Sequence, residues 1–320
     1  MIRYIIKRLL ILILVMWASA LLIFTITYFT PGDPALIQLG TDATEQELAA
    51  RRAYLGIDKP YMQQLVTYMY NTFVRFDLGQ SWRYETPVLK GMFDRMPYTL
   101  MINILSLIIN VIIGLSLGIF AGTHEGKWQD SLTMAIAMIF VSAPGFWVCL
   151  EMQILFSVKL GWLPAYGINN WKCFIMPIIG SSIGGIAVNA RHARSSILEV
   201  FRADYITTAR AKGQAEKLVV RKHMLPNALM PIITNLGGAL SHIVGGAAIM
   251  ETVFSIPGVG SYMLQGTTQR DYPVIRGCSL FFATFSAFVM LLVDLAYAYF
   301  DPRIKAQYEN QAVSKRKVKV

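Results

Sequence analysis

Six apolar runs divide the chain, and most come close to the roughly 20 residues a helix needs to cross a bilayer. They fall at residues 9–29, 98–122, 131–158, 173–190, 229–250 and 277–300. Within hydrocarbon a backbone must satisfy its own N–H and C=O groups, so runs of this length are read as helices. Only 15% of residues are charged, against about 25% in an ordinary soluble domain. The fold class is therefore an all-α membrane protein with six transmembrane helices.

The polar segments set the topology. The N-terminal stretch carries Arg3, Lys7 and Arg8. Residues 191–227 hold eight Lys/Arg against three Asp/Glu, and residues 301–320 hold six against two. Residues 30–97 hold seven against eight. Basic loops stay in the cytosol. Both termini and 191–227 are thus expected inside, and 30–97 outside. The turn at 122–130 adds little, with Lys127 against Glu125 and Asp130. The net charge of +10 follows from this topology, so nucleic acid is not needed to explain it. Ala18-Ser19-Ala20 looks like a signal-peptidase site, but the apolar run continues past it and reads as an anchor. Trp162, Pro164, Tyr166 and Trp171 form a short outer loop suited to the membrane interface. Four parts result: residues 1–29, a cytosolic N-terminus with the first span; 30–97, an extracytoplasmic subdomain; 98–300, a five-helix core that includes the cytosolic loop 191–227; and 301–320, a basic cytosolic tail.

The external region opens on Thr30-Pro31-Gly32-Asp33-Pro34, a rigid turn cluster. Thr44 stands three residues before Glu47, the spacing of a capping box, and predicts a helix over 44–55. Residues 61–76 have an amphipathic helical pattern. This insertion is expected to be mainly helical.

The loop 203–229 reads ADYITTARAKGQAEKLVVRKHMLPNAL. Helix-forming residues surround a single glycine, Gly213, and precede Pro226. That pattern predicts two short helices joined at the glycine and stopped by the proline. His192 and His223 lie among the basic residues of 191–227 and read as surface or interface groups rather than ligands.

The sequence has no GxxxxGK[ST] phosphate loop and no HExxH. Cys149, Cys173 and Cys278 are scattered among apolar residues, with no CxxC, so neither a disulfide framework nor a metal site is expected. Gly180-Ser181-Ser182-Ile183-Gly184 fits GxSxG. One reading is an intramembrane serine hydrolase with Ser182 as nucleophile and His242 as base. A nucleophile elbow needs a strand-turn-helix, however, and this motif lies in an apolar span. The alternative is close helix packing through small residues. A secondary transporter would need ion-coupling groups, which only Glu151 and Asp294 offer within the spans. Asp294 lies near the end of its span and reads as an anchor there. Glu151 lies further from a flank and is the possible pathway residue.

Several motifs, in order, resemble one family. Arg3-Tyr4, Lys7-Arg8-Leu9, Pro31-Gly32-Asp33-Pro34, Leu55-Gly56-Ile57-Asp58-Lys59-Pro60 and Asp77-Leu78-Gly79-Gln80-Ser81 come first. Asp204-Tyr205-Ile206-Thr207-Thr208-Ala209-Arg210-Ala211-Lys212-Gly213 and Leu225-Pro226-Asn227-Ala228-Leu229 follow. Val253-Phe254-Ser255-Ile256-Pro257-Gly258-Val259-Gly260, Arg270-Asp271-Tyr272-Pro273-Val274 and Asp301-Pro302-Arg303-Ile304 complete the series. Together they resemble the permeases of the dipeptide, oligopeptide and nickel ABC importers over nearly the whole chain. The loop is similar to their cytoplasmic EAA loop, with Thr207, Thr208 and Ala209 at the Glu-Ala-Ala positions, as is common in the peptide branch. The long external region resembles that of the B-type subunit.

The resemblance implies the type I ABC importer permease fold in a bacterial cytoplasmic membrane. It implies a non-enzymatic transport subunit that binds no cofactor or metal itself, with ATP and Mg held by partner ATPases. The implied partners are a C-type permease subunit, two ABC ATPase subunits, an extracytoplasmic substrate-binding protein and the lipid bilayer, with no nucleic acid. It implies ATPase coupling through Asp204, Tyr205, Thr207, Thr208, Ala209, Arg210, Ala211, Lys212 and Gly213. Ala209, Ala211 and Gly213 are expected to keep one side of that helix slim. The implied cargo is a di- or oligopeptide. Nickel or a metal chelate is the alternative.

Overall fold

The computed structural model describes residues 2–241, 243–245 and 248–300. Among these the chain is helical, with no strand longer than an isolated bridge between Gln80 and Pro87. It divides into two compact units, one from Met1–Phe93 with Met263–Val320, the other Asp94–Tyr262.

In the first unit, α1 (Ile2–Phe29) packs against α14 (Tyr272–Phe300) and against α4 (Tyr61–Val74). Two short helices precede α4. Asp33 caps α2 (Pro34–Leu39) by accepting from the Ala35 amide at 2.9 Å, with Pro34 preset for the first helical position. The expected capping box opens α3 (Glu45–Leu55). The Glu47 carboxylate accepts from the Thr44 amide at 2.8 Å, and the Thr44 hydroxyl accepts from the Glu47 amide at 3.4 Å. Gly56, at φ 69°, ends it in the left-handed conformation that glycine adopts without strain. Two motifs distant in sequence meet here. The buried Asp271 accepts from the Ser81 hydroxyl at 2.5 Å and from the Trp82 and Arg83 amides at 3.1 and 3.2 Å.

Helix α5 (Val88–Thr123) starts ten residues before the expected span. Pro97 therefore lies inside a helix.

In the second unit, α8 (Ile175–Phe201) is the hub. It touches α6 (Trp128–Ser142), α7 (Gly145–Met152), α11 (Leu225–Ser241) and α12 (Ala248–Val253). The expected fourth span ended at residue 190, but α8 runs eleven residues further, into the basic segment. Gly114, Gly118 and Gly122 face α8. A Cβ on the first two would meet the Ile186 and Ala190 carbonyl oxygens, and on the third the Ile197 side chain. This spacing of four brings two backbones together, as small residues do between membrane helices. Asp130 ties α6 to α8 through a bidentate pair with Arg194, at 2.5 and 2.7 Å.

The expected third span is not one straight helix. Trp128–Ser142 and Gly145–Lys159 meet at 96°. Pro144 is the cause. It pushes Ala143 out of helical geometry (φ −78°, ψ 129°) and offers no N–H. Beyond α7 the helix widens into a π-helical segment, Gln153–Lys159. The expected fifth span is also interrupted. Helix α11 ends at Ser241 and α12 begins at Ala248. Among the described residues four helices are long and apolar enough to cross a membrane, or five if the bent pair is one span.

Candidate functional site

The basic loop has a small core of its own. Helix α9 (Asp204–Ala211) presents Ile206 and Ala209, three residues apart on one face, to Ile197, Val219, Met224 and Ala228. All six are buried. After α9 the chain turns at Gly213, where φ is +75°, and enters α10 (Glu216–Val219). A Cβ at Gly213 would meet nothing within 4 Å. The turn thus needs glycine for its dihedral angle, not for space.

Pro226 does not stop this helix. α10 continues through a π-helical turn, Val220–Met224, directly into α11. The wider turn accommodates the missing proline N–H and keeps the ring off the preceding carbonyl.

The nine expected coupling residues separate into distinct environments. Asp204, Tyr205, Thr207, Thr208, Ala211, Lys212 and Gly213 are exposed. Ala209 is 6% exposed and belongs to the loop's core. Ala209 and Ala211 therefore do not share the expected slim side. Positions two apart point about 200° away from each other around a helix. Arg210 is internal scaffolding. Its guanidinium lies 4.2 Å over the Phe201 ring and donates to Glu216 at 2.6 and 3.1 Å, fastening α9 to α10 across the glycine turn. That hydrogen bond holds the Glu216 carboxyl below its ordinary range. His223 pairs with Gln214 at 3.0 Å and closes the same turn. Lys212, Lys217, Arg221 and Lys222 are left exposed. The loop offers a polar α9 face with Tyr205 and a row of cations, on a rigid base.

Ser182 is fully buried, and its hydroxyl donates to the Ile179 carbonyl of its own helix at 2.8 Å. A Cβ at Gly180 would strike the Cys149 sulfur, so the small residues serve packing between α7 and α8. His242 lies outside the described residues, as does the Asp301-Pro302-Arg303-Ile304 motif. Asp294 pairs with Arg8 at 2.6 Å. Glu151 is exposed on α7.

Glu251 lies just past the apolar run 229–250 and carries no motif that marks it as a site residue. It is fully buried. Its carboxylate accepts from the Thr99 hydroxyl at 2.6 Å and the Ser261 amide at 2.8 Å. Thr99 in turn accepts from the Val259 amide at 2.9 Å. A Cβ at Gly258 would occupy the carboxylate's place. Glu251 thus shapes the turn that carries Val253-Phe254-Ser255-Ile256-Pro257-Gly258-Val259-Gly260. An acid flanked by apolar residues and followed by two closely spaced glycines was the available signal.

Residues 114–306 match the family described as binding-protein-dependent transport system inner membrane component. Residues 1–103 match its N-terminal counterpart. The chain belongs to this family of binding-protein-dependent permeases. It is 38% identical over 333 residues to the dipeptide transport system permease protein DppB of Alkalihalophilus pseudofirmus, covering 95% of this chain and all of that one. It is 38% identical over 305 residues to the glutathione transport system permease protein GsiC of Escherichia coli O6:H1, covering 95% and 99%. A crystal structure of an amino acid ABC transporter with histidines matches with a TM-score of 0.53 at 16% identity, over 66% of this chain and 95% of that one. The permease has the type I ABC importer fold and is a multi-pass inner-membrane protein.

Proposed function

We propose that this permease is the B-type subunit of an ATP-driven peptide importer. An external binding protein delivers a di- or oligopeptide to it and to a C-type permease partner. Two ABC ATPases hold the loop 191–227, and their closure on ATP turns the path outward. Both termini and the loop face the cytosol, and residues 30–97 form the external insertion. ATP and Mg stay with the ATPases, and this chain performs no chemistry. Glu151, exposed on α7, is the pathway residue in this reading.

The observation that carries the proposal is the form of the loop. A short helix with a buried inner face and an exposed polar outer face is a rigid handle for a groove on a partner. Its exposed cations suit an acidic rim. Peptide cargo is supported by the relatives, one named for dipeptide and one for glutathione transport. A strain lacking this gene, complemented with it, tests the cargo. Uptake of labelled dipeptide or glutathione should return with the gene, and Ni²⁺ uptake should be unchanged. Restored Ni²⁺ uptake without peptide uptake would overturn it. Failure of two ATPase chains to copurify with the tagged permease would overturn the coupling.

A further inference from the structure

We propose that Arg276 and Tyr272, at the head of α14, form a binding site for a phosphate group. Both line a cavity of about 340 Å³ within the first unit, with Tyr28, Thr30 and Gln64.

The charges around this cavity do not cancel. Arg52 and Asp33, also on its wall, pair with each other at 2.7 Å. Arg276 is partly buried and has no such partner. Its Nε donates to the Thr27 hydroxyl at 2.6 Å. No carboxylate among the described residues pairs with its two terminal nitrogens. The guanidinium rests 4.3 Å over the Phe24 ring and 5.7 Å from the rings of Tyr68 and Tyr272. The ring faces offset part of its desolvation, but they leave the N–H groups of those terminal nitrogens without acceptors. Tyr272 is 6% exposed, and its hydroxyl has no hydrogen-bond partner. Open guanidinium donors beside an unbonded hydroxyl in one cavity suit an anionic ligand. A ligand that would meet both groups at once is an anion with several acceptor oxygens. Phosphate fits, because two of its oxygens match the guanidinium fork and a third can accept from a phenol.

Position narrows the source. Thr27 lies two residues from the end of α1, and Arg276 four residues into α14. Both helices hold apolar spans, Ile5–Phe29 and Tyr272–Leu295. The cavity therefore lies at their polar ends, the level of phospholipid headgroups. Tyr28, Phe29 and Tyr61 cluster there, as aromatic residues do at membrane interfaces. A headgroup phosphate and free inorganic phosphate share the chemistry.

The test uses the full-length permease with its copurified partners, delipidated in neutral detergent. Thermal unfolding is followed during titration with phosphatidylglycerol in one arm and inorganic phosphate in the other. Either probe should raise the midpoint of the wild type. A response to the lipid alone assigns the site to a headgroup, and a response to both shows that phosphate suffices. Arg276→Gln should weaken the apparent affinity roughly tenfold or more, and Tyr272→Phe by a smaller factor. Arg276→Lys keeps the charge but loses the fork. It should fall between, and it decides the matter if the glutamine variant does not fold. No response of the wild type, or an equal response in the variants, overturns the proposal. The readout is binding, so it stands apart from whether the cargo is a peptide.

Discussion

Glu251 and Thr99 are 152 residues apart and share a buried hydrogen bond of 2.6 Å. With the Ser261 amide, Thr99 fixes a carboxylate that is fully buried. Removing the carboxylate would leave those donors buried and unpaired. Glu251→Ala is expected to cost about 3 kcal/mol or more. Glu251→Gln keeps the volume and one strong acceptor, and should cost about 1 kcal/mol. Gly258→Ala should behave like the alanine variant, since its methyl would displace the carboxylate. Thermal unfolding of the purified permease measures all three. Equal, small losses would mean that Glu251 does not organise the turn.

What was legible in the sequence was local. Thr44 and Glu47 announce a capping box because both partners lie within one turn. Gly213 announces a turn for the same reason. The Asp294 anchor reading also holds, because Arg8 pairs with it. Non-local effects were not legible. Averaged over 131–158, the chain is apolar throughout, and that average hid the break at Pro144. Pro226 read as a stop, since nothing in the sequence shows that the preceding turn will widen. Nothing local marks Glu251 as buried, because its main partner, Thr99, is on α5. Ala209 looked like a contact residue because its burial depends on Val219, Met224 and Ala228, which return only after the glycine turn.

The Arg210–Glu216 pair should stiffen the loop in a pH-dependent way. The folded-state pKa of Glu216 is lowered by the hydrogen bond from Arg210. Its contribution is therefore present above the unfolded value of about 4.3 and is lost as pH falls through the lowered folded value. The pair is largely exposed, so the effect should be no more than about 0.5 kcal/mol. Glu216→Gln should speed hydrogen exchange of the α9 amides at pH 7 and make no difference once the pH is well below the lowered folded value. Equal exchange at pH 7 would show that the pair does not hold α9 in place.

Ser182 should be dispensable for chemistry. Its hydroxyl is bound to its own helix and faces packed side chains. Ser182→Ala should leave uptake within about twofold of wild type, and a fluorophosphonate probe should not label the chain. The cost should stay near 1 kcal/mol, since the bonded carbonyl also keeps its place in the helix. Labelling that disappears in the alanine variant would restore the hydrolase reading.

The two faces of α9 should separate folding from coupling. Ile206 and Ala209 point into the loop's core, while Tyr205, Thr207, Thr208 and Lys212 point outward. Thr208→Glu or Lys212→Glu should reduce copurified ATPase several-fold, because a like charge meets an acidic rim. Their thermal midpoints should stay within about 2 °C of wild type, since surface changes usually move stability by about 0.5 kcal/mol or less. Ala209→Phe should lose the ATPase and also unfold earlier, because an overfilled core commonly costs about 1–3 kcal/mol. Gly213→Ala should cost about 1 kcal/mol through its positive φ alone, with the loop surface otherwise intact. Copurification and unfolding measured on the same preparations distinguish these outcomes. If the outward variants retained full ATPase and normal transport, the partner would have to grip the chain somewhere other than α9.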